Sequence, residues 1–380
     1  MIGKQLQILV FKISDDGTFD NIGEVNRFSS LIWPDKYNGY ASFELWAPIN
    51  DENREFFKKG NIIWCGGNNA AFIEIVKSKV DDDGVETFNV KGRTLEMLLT
   101  TRIIWGTYNA SNKNSSTVMY DLVYQNFVRP SDYRRRIPFL ELGTDNHIGK
   151  RITFQKTGGD VYTTLQEIAS EADLGFNVLF KPKEKKLIFE VVEGVDRTVN
   201  QDTNDPVEFS SDLEDILTSE YYTNDQDYKN VALVMGEGEG SNRKKEISGN
   251  GYSSGLLRRE MFVDARDLQS SSTSEGGQQV TLSPEEYKQA LINRGNSKLA
   301  ECRVVETFES RIRVLGDVQY KYGVDFFKGD KVTVIDKRLG VEISARITEV
   351  EEDFDKEYKM YITFGYSYPT IMQKIKQQIT

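Results

Sequence analysis

The chain has 380 residues, enough for two or more domains with ample core. Its formal charge of −11 disfavours a protein that grips nucleic acid, but leaves open a surface that DNA slides past. Two cysteines and a single histidine exclude a disulfide framework and a His-rich metal site, and no apolar run approaches the ~20 residues that span a bilayer.

Along the chain, strand signals come first. Leu6, Ile8, Val10 and Phe11 lead to the turn Asp15-Asp16-Gly17, and Phe19, Ile22 and Val25 return. Leu31-Ile32-Trp33 and Phe43-Glu44-Leu45-Trp46 flank a turn from Pro34 to Gly39. Asn50 to Gly60 reads as a short helix: an Asn cap, acids in the first turn, lysines in the last and a closing glycine. Residues 1–100 are therefore expected to form a small, mostly antiparallel β-barrel or sandwich. Helical spacing follows over Ser115–Phe127 and again over Asp160–Asp173, where Gly175 is the expected stop. Phe176–Phe180 and Leu187–Val192 flank a Pro-Lys-Glu-Lys-Lys turn, so 101–205 is expected to be an inserted α+β domain. Strands resume over 206–235 and, with 301–367, are expected to build a second barrel. Between them, 236–300 reads as an insertion: a Gly/Ser-rich excursion, then a helix opened by the capping box Ser283-Pro284-Glu285-Glu286. Residues 368–380 read as a tail.

Two distant stretches look alike. Phe56-Phe57-Lys58-Lys59-Gly60-Asn61-Ile62-Ile63-Trp64 resembles Phe326-Phe327-Lys328-Gly329-Asp330-Lys331-Val332-Thr333-Val334. Each continues into an alternating strand (Phe72–Ile75; Ala345–Thr348), an acidic turn (Asp81–Gly84; Glu351–Asp355) and a strand ending in glycine (Thr87–Gly92; Tyr361–Gly365). A duplicated module in one chain lets three chains present six similar modules around an axis.

Motifs that could carry chemistry are sparse. Gly236-Glu237-Gly238-Glu239-Gly240 lacks the third glycine of a dinucleotide fingerprint, and two glutamates would repel a phosphate; a tight turn is expected. The acidic turn at Asp81–Gly84 lacks the terminal glutamate of a calcium loop. In Arg258-Arg259-Glu260-Met261-Phe262-Val263-Asp264-Ala265-Arg266-Asp267, Glu260 with Asp264 or Asp267 could be a glycosidase pair. The simpler reading is ion pairing, within the chain or across a subunit contact. Gly236, Gly238, Gly240, Arg258, Arg259, Asp264, Arg266 and Asp267 are thus structural and candidate interface residues. No catalytic, cofactor or metal residue is assigned; His147 sits in a loop, and Cys65 and Cys302 read as buried thiols.

Several segments resemble one family: Leu31-Ile32-Trp33 with Phe43-Glu44-Leu45; Val90 to Trp105; Asp196-Arg197-Thr198 with Pro206–Ser210; Lys229-Asn230-Val231-Ala232 through Gly236–Gly240 to Leu257–Asp267; and Gly329–Val334. On these, the chain resembles the ReqiPepy-type siphovirus tail proteins, a group similar to the baseplate-hub proteins of long-tailed phages. The resemblance implies two tube-like barrels per chain and a homotrimeric, non-enzymatic ring at the virion tail tip, in a phage or prophage. Implied partners are the tail tube, distal tail protein, tape-measure protein and receptor-binding proteins, with DNA passing but not bound. Some relatives carry a C-terminal hydrolase or fibre; with Thr380 closing the sequence soon after the second repeat, none is expected. The opening residues Met1–Gln7 hold no leader signal, so assembly from a soluble chain in the host cytoplasm is expected. The alternatives are a cell-wall hydrolase resting on the carboxylates, and a carbohydrate-binding adsorption module using Trp33 or Trp105.

Overall fold

The computed structural model describes residues 6–14, 17–213, 215–273, 279–313 and 318–366. The Asp15-Asp16 turn, the first five residues and the 368–380 tail lie outside them.

The first unit comprises β1 (Leu9–Ile13), β2 (Phe19–Glu24), β3 (Ser30–Lys36), β4 (Ser42–Pro48), α1 (Asp51–Phe56), β5 (Ile62–Trp64), β6 (Ala70–Val80) and β7 (Glu86–Thr94). Alternation places Phe43, Leu45 and Ala47 of β4 on one face, where they join Leu31, Trp33, Ile63, Ile73 and Val90 in a single core. The strands lie in the order β3-β4-β7-β6-β5-β1-β2. Helix α1 is shorter than its sequence signals suggest. Asn50 Oδ1 caps it by accepting from Asn53 N at 2.7 Å, but it ends at Phe56, so Lys58 and Lys59 follow the helix.

The middle domain holds β8 (Thr107–Asn114), α2 (Ser115–Val123), β9 (Leu140–Leu142), β10 (Arg151–Thr157), α3 (Val161–Ala172), β11 (Gly175–Lys181) and β12 (Lys186–Val192). Its core includes Phe11 and Phe19 of the first unit; Phe180 meets their rings edge-on at 5.0 and 5.3 Å. Asp173, at φ +58°, is the left-handed residue that ends α3, not Gly175. Gly175 starts β11 instead. A Cβ there would lie 2.4 Å from the Tyr37 carbonyl, so glycine is required by close approach.

The second unit uses β13 (Glu208–Ser210) and β14 (Ile216–Asn224). An insertion follows, with β15 (Val231–Met235), β16 (Lys245–Gly249), β17 (Glu260–Asp264), the pair β18 (Ser271–Thr273) and β19 (Gln279–Thr281), and α4 (Pro284–Ala300). The unit resumes with β20 (Val305–Ile312), β21 (Lys331–Asp336), β22 (Val341–Phe354) and β23 (Tyr358–Tyr366). The excursion is more ordered than its composition suggests. β15, expected in the second barrel, pairs antiparallel with β16 and parallel with β17 in a sheet of its own. That sheet buries Ala232, Val234 and Val263 against Tyr287 and Leu291 of α4. Both bonds of the α4 capping box form, Ser283 N to Glu286 Oε2 at 2.8 Å and Glu286 N to Ser283 Oγ at 3.3 Å.

The duplication extends beyond the stretches that look alike in sequence. Strands β14-β20-β23-β22-β21 repeat the order β3-β4-β7-β6-β5, and both sets follow the same chain sequence. Gly60 and Gly329 both turn at positive φ, +88° and +93°. Gly60 N donates to Ile73 O at 2.8 Å and Gly329 N to Ile347 O at 2.9 Å. Ile73 N returns to Asn61 O, and Ile347 N to Asp330 O, each at 2.8 Å. The register then shifts at matching places, between Ile73 and Ile75 in one copy and between Ile347 and Glu349 in the other.

This register corrects the sequence alignment. Ile73 matches Ile347 rather than Arg346, and Phe57 matches Phe326. Gly92, opposite Ile73, matches Phe364, opposite Ile347, so Gly92 and Gly365 are not equivalents. Glu351 to Phe354 is strand rather than turn, with Glu352 and Phe354 buried on the core face; the turn begins at Asp355.

The two units join edge to edge. β22 pairs with β23 on one side and with β3 on the other, giving one 13-stranded sheet. Each unit curls around its own core, but among the described residues the pairing runs open from β14 to β2 and does not close into a barrel.

Candidate assembly surface

Three features stand out: a buried junction, a polar sheet face and a braced insertion. The junction is where both units meet the middle domain. Tyr37, from the β3–β4 turn, receives Gly194 N on its hydroxyl at 3.2 Å, and the Arg346 guanidinium lies 4.9 Å above its ring. Burial, only partly offset by that cation, raises the Tyr37 phenol to about 12. Arg346 donates to both oxygens of Asp173 at 2.8 and 2.5 Å, and Lys331 approaches the same carboxylate at 2.8 Å. Although burial opposes ionisation of Asp173, these donors hold its carboxyl below the usual range. Asp330 accepts from Phe327 N and Val195 N, each at 3.0 Å, and from Arg197 Nε at 3.0 Å. Thus the Asp196-Arg197-Thr198 segment and the Gly329-Asp330 loop, far apart in sequence, form one contact. Lys328 Nζ adds bonds to Asp35 at 2.6 Å and Asn177 at 3.0 Å, beside Glu96, whose carboxyl burial pushes up.

The polar face runs across both units. On it, β22 presents Glu349, Glu351 and Asp353, with Glu309 of β20 alongside. Lys36 of β3 pairs with Glu349 at 3.6 Å across the inter-unit joint. Burial, followed by repulsion from Glu349, Glu309 and Asp353, pushes Glu351 up to about 7. Sequence reasoning missed this stripe by placing it in a turn; the period-two alternation of Glu351 and Asp353 with Glu352 and Phe354 was the available signal.

The candidate interface residues cluster in the insertion, each engaged within the chain. Gly236 packs against Tyr287; a Cβ would meet its hydroxyl at 2.3 Å. Gly238 and Gly240 take positive φ, +104° and +52°, as the tight-turn reading requires. Arg258 pairs with Glu260 at 2.6 Å and Arg259 with Asp225 at 2.8 Å. Asp264 is held by Arg266 at 2.6 Å and Arg243 at 2.7 Å, which together lower its carboxyl to about 2. Asp267 pairs with Arg294 of α4 at 3.0 Å. The outer face of the same sheet carries an exposed apolar row, Ile247, Leu233 and Phe262, opposite one another across three strands.

The alternatives meet obstacles here. Glu260 and Asp264 lie four residues apart on one strand, about 13 Å by strand rise, beyond the ~5–9.5 Å of glycosidase carboxylates. Trp33 is buried and stacked on Phe43 at 5.5 Å, so it cannot meet a sugar; Trp105 is 54% exposed with Arg135 over its ring. His147 is exposed and bonds Thr117; Cys65 and Cys302 are half-buried thiols. No helix among the described residues is long and apolar enough to cross a membrane.

The sheet thus holds a duplicated five-strand unit, with a domain inserted between its copies and a second insertion within one copy. The chain belongs to the Siphovirus ReqiPepy6 Gp37-like protein family, which matches residues 8–366. Its fold is similar to that of a tail protein from Neisseria meningitidis MC58, with TM-score 0.54 and 14% identity over 95% of this chain and 96% of that one. It is similar also to the 43 kDa tail protein of prophage MuSo2 from Shewanella oneidensis, with TM-score 0.54 and 12% identity over 94% and 97% of the two chains. A third is prophage tail protein gp18 from Listeria monocytogenes EGD-e, with TM-score 0.54 and 10% identity over 98% of each chain. No curated protein matches the chain.

Proposed function

We propose that this chain is a structural, non-enzymatic component of a phage or prophage tail tip, a baseplate-hub subunit that assembles as a trimer. The observation that carries the reading is the duplication, with its shared strand order, glycine turn and register shift. Two equivalent units per chain let three chains offer six similar surfaces, which suits a joint between a six-fold tube and a three-fold tip. In such a ring each curled unit would complete a barrel-like tube wall. The acidic stripe of Glu309, Glu349, Glu351 and Asp353 suits a lumen through which DNA moves, because like charge keeps phosphate from sticking.

The insertion, braced by Gly236–Gly240 and Arg258–Asp267, would set the outer surface that neighbouring subunits or tail components meet. The tube, distal tail protein, tape-measure protein and receptor-binding proteins are the candidate neighbours. The row of Ile247, Leu233 and Phe262 is the kind of exposed patch that marks a protein contact. Asp264, held as an anion by two arginines, is unsuited to the general-acid role in a carboxylate pair.

Mass photometry and electron microscopy of the full chain, alone and with its tail-tube protein, test the ring: three copies with six-fold pseudo-symmetry are expected. Peptidoglycan release abolished by Glu260→Gln with Asp264→Asn would overturn the reading. Glycan binding lost on a Trp105 change would favour the adsorption module instead.

A further inference from the structure

The duplicated unit makes one contact inside the chain that its symmetry leaves incomplete outside it. β3 of the first unit pairs with the second half of β22, in the register Lys36↔Glu349, Val350↔Asp35, Glu351↔Pro34, Glu352↔Trp33, Asp353↔Ile32 and Phe354↔Leu31. The equivalent of β22 in the first unit is β6, and the equivalent of β3 in the second is β14. Beyond its register shift, β6 pairs only with β7, so residues 75–80 present an open edge among the described residues. Among the described residues β14 pairs only with β20, and it too ends the sheet there. Both edges are solvent-exposed and carry large apolar groups: Ile75 and Val80 on one, Leu217, Tyr221 and Tyr222 on the other. Open strand edges are templates for pairing.

We propose that β6 of one copy of this chain pairs antiparallel with β14 of the next, repeating between molecules the joint that β22 and β3 make within one. The inference rests on the ring reading above and supplies its contact. The internal register fixes the external one. Carrying each residue through the duplication gives Ile75↔Asn224, Val76↔Thr223, Lys77↔Tyr222, Ser78↔Tyr221, Lys79↔Glu220 and Val80↔Ser219.

Charge supports that register. Inside the chain, Lys36 answers Glu349 across the joint. In the proposed joint, Lys79 falls directly opposite Glu220. Glu220 already faces a like charge, Glu309, across the β14–β20 pair, so a lysine on its open side relieves a standing repulsion. The polarity also inverts between copies: β22 presents Glu351 and Asp353 where β6 presents Lys77 and Lys79. The joint is head-to-tail, using different surfaces on each copy, so it closes into a ring when the rotation per chain divides the circle.

Single-cysteine chains test it, in the full-length protein with Cys65→Ser and Cys302→Ser. A tagged Ser78→Cys chain is mixed with an untagged Tyr221→Cys chain under mild oxidation, and Lys77→Cys with Tyr222→Cys as a second pair. Each mixture is expected to give a cross-linked dimer of one tagged and one untagged chain, absent when either chain is oxidised alone. The off-register mixture, Ser78→Cys with Tyr222→Cys, is expected to give at least several-fold less, because a one-residue slip turns the side chains to opposite faces. Lys79→Glu or Glu220→Lys should weaken association about fivefold per contact, and the two together should restore it.

A chain that reaches trimer mass without either in-register cross-link overturns the pairing and leaves the trimer standing. Cross-linking of either chain with itself overturns the pairing too, because it demands a symmetric contact. A chain that stays monomeric, uncross-linked and indifferent to the charge swaps at ~1 mM, where even weak contacts associate, overturns both the pairing and the ring.

Discussion

The two copies of the five-strand unit share a backbone and differ in what hangs from it. At the glycine turn, Asn61 uses its amide to hold the last carbonyl of α1, donating to Phe56 O at 2.9 Å. Asp330, at the same register position, accepts instead from the linker that leaves the middle domain, at Val195 and Arg197. One copy stabilises its own connection; the other receives a neighbouring domain. At the hairpin between the first two strands, the first copy spends only Tyr37–Ala41, whereas the second opens to admit the whole 225–304 insertion. Shared hydrogen-bond register with divergent decoration shows which parts define the unit and which serve a local task.

The largest expected break lies in the third strand of the sheet, at β7 and β23. In the first copy a Cβ on Gly92 would sit 1.7 Å from the Phe72 carbonyl, a clash with backbone that no rotamer relieves. Its equivalent, Phe364, is fully buried in the second core. Gly92→Ala should therefore cost more than about 4 kcal/mol or prevent folding, and Phe364→Ala about 3–5 kcal/mol through the cavity it leaves. Denaturant midpoints of the two variants check this; equal, small effects would mean that the copies tolerate the same side chain.

The next break exchanges the loop residues. Asp330→Asn removes an oxygen from a site with three donors and leaves the largely buried Arg197 without its carboxylate, costing about 2–4 kcal/mol. Asn61→Asp faces a carboxylate toward the Phe56 carbonyl in a buried pocket and should cost about 2–3 kcal/mol. If either exchange is neutral in thermal unfolding, the two loops are interchangeable and the division of labour described above is wrong.

Much of this was legible in sequence because the signals are local. Asn50 and the Ser283–Glu286 box are caps whose chemistry is complete within a few residues. The glycine turn of both copies showed for the same reason. What escaped was whatever depends on partners far along the chain. The one-residue offset between Ile73 and Arg346 could not be corrected without the hydrogen bonds that align Ile73 with Ile347. The acidic run at Glu351–Asp355 looks like a turn by composition, yet β23 and β3 pair with Glu351–Phe354 on both sides. β15 was placed in the wrong sheet because a run of Val, Leu and Met says strand but does not say which neighbour. Gly236–Gly240 and Arg258–Asp267 were found together, and the structure brings them to one sheet; their individual partners, such as Arg294 for Asp267, come from a helix that sequence spacing could not dock.

The acidic stripe sharpens the comparison with a smaller effect. Glu351 titrates near 7 in the fold, raised by burial and by Glu349, Glu309 and Asp353, with Lys36 opposing; its counterpart in the first copy is Lys77. A carboxyl whose folded value exceeds its unfolded value binds more protons when folded across the interval between them. Stability therefore falls as pH rises from about 4.5 toward 7. Carboxyls lowered in the fold act the other way at lower pH: Asp336, held by Arg338 at about 2, contributes stability that is present above about 3.8 and is lost as pH falls from there through about 2. The two windows separate cleanly. Glu351→Gln should flatten the decline in Tm between pH 5 and 8 and raise Tm at pH 8, while Lys77→Gln should leave the profile unchanged. Parallel profiles for wild type and Glu351→Gln would remove Glu351 as the source.

The smallest expected effect concerns α1, which the first copy places between its second and third strands. Asn50 caps this helix from a β-region backbone, and its side chain satisfies an amide that the helix leaves without an internal partner. Asn50→Ala should cost about 1 kcal/mol. The helix also positions Phe56 and Phe57 in the first core, and Phe326 fills the place of Phe57 in the second copy with no helix among the described residues 318–325 before it. The core position is thus held by the glycine turn that both copies share, and α1 supports it only from outside. Asn50→Ala should accordingly leave Trp33 fluorescence, which reports that core, at its wild-type value. A shifted spectrum with a loss well above 1 kcal/mol would make α1 part of the unit's foundation rather than an addition to one copy.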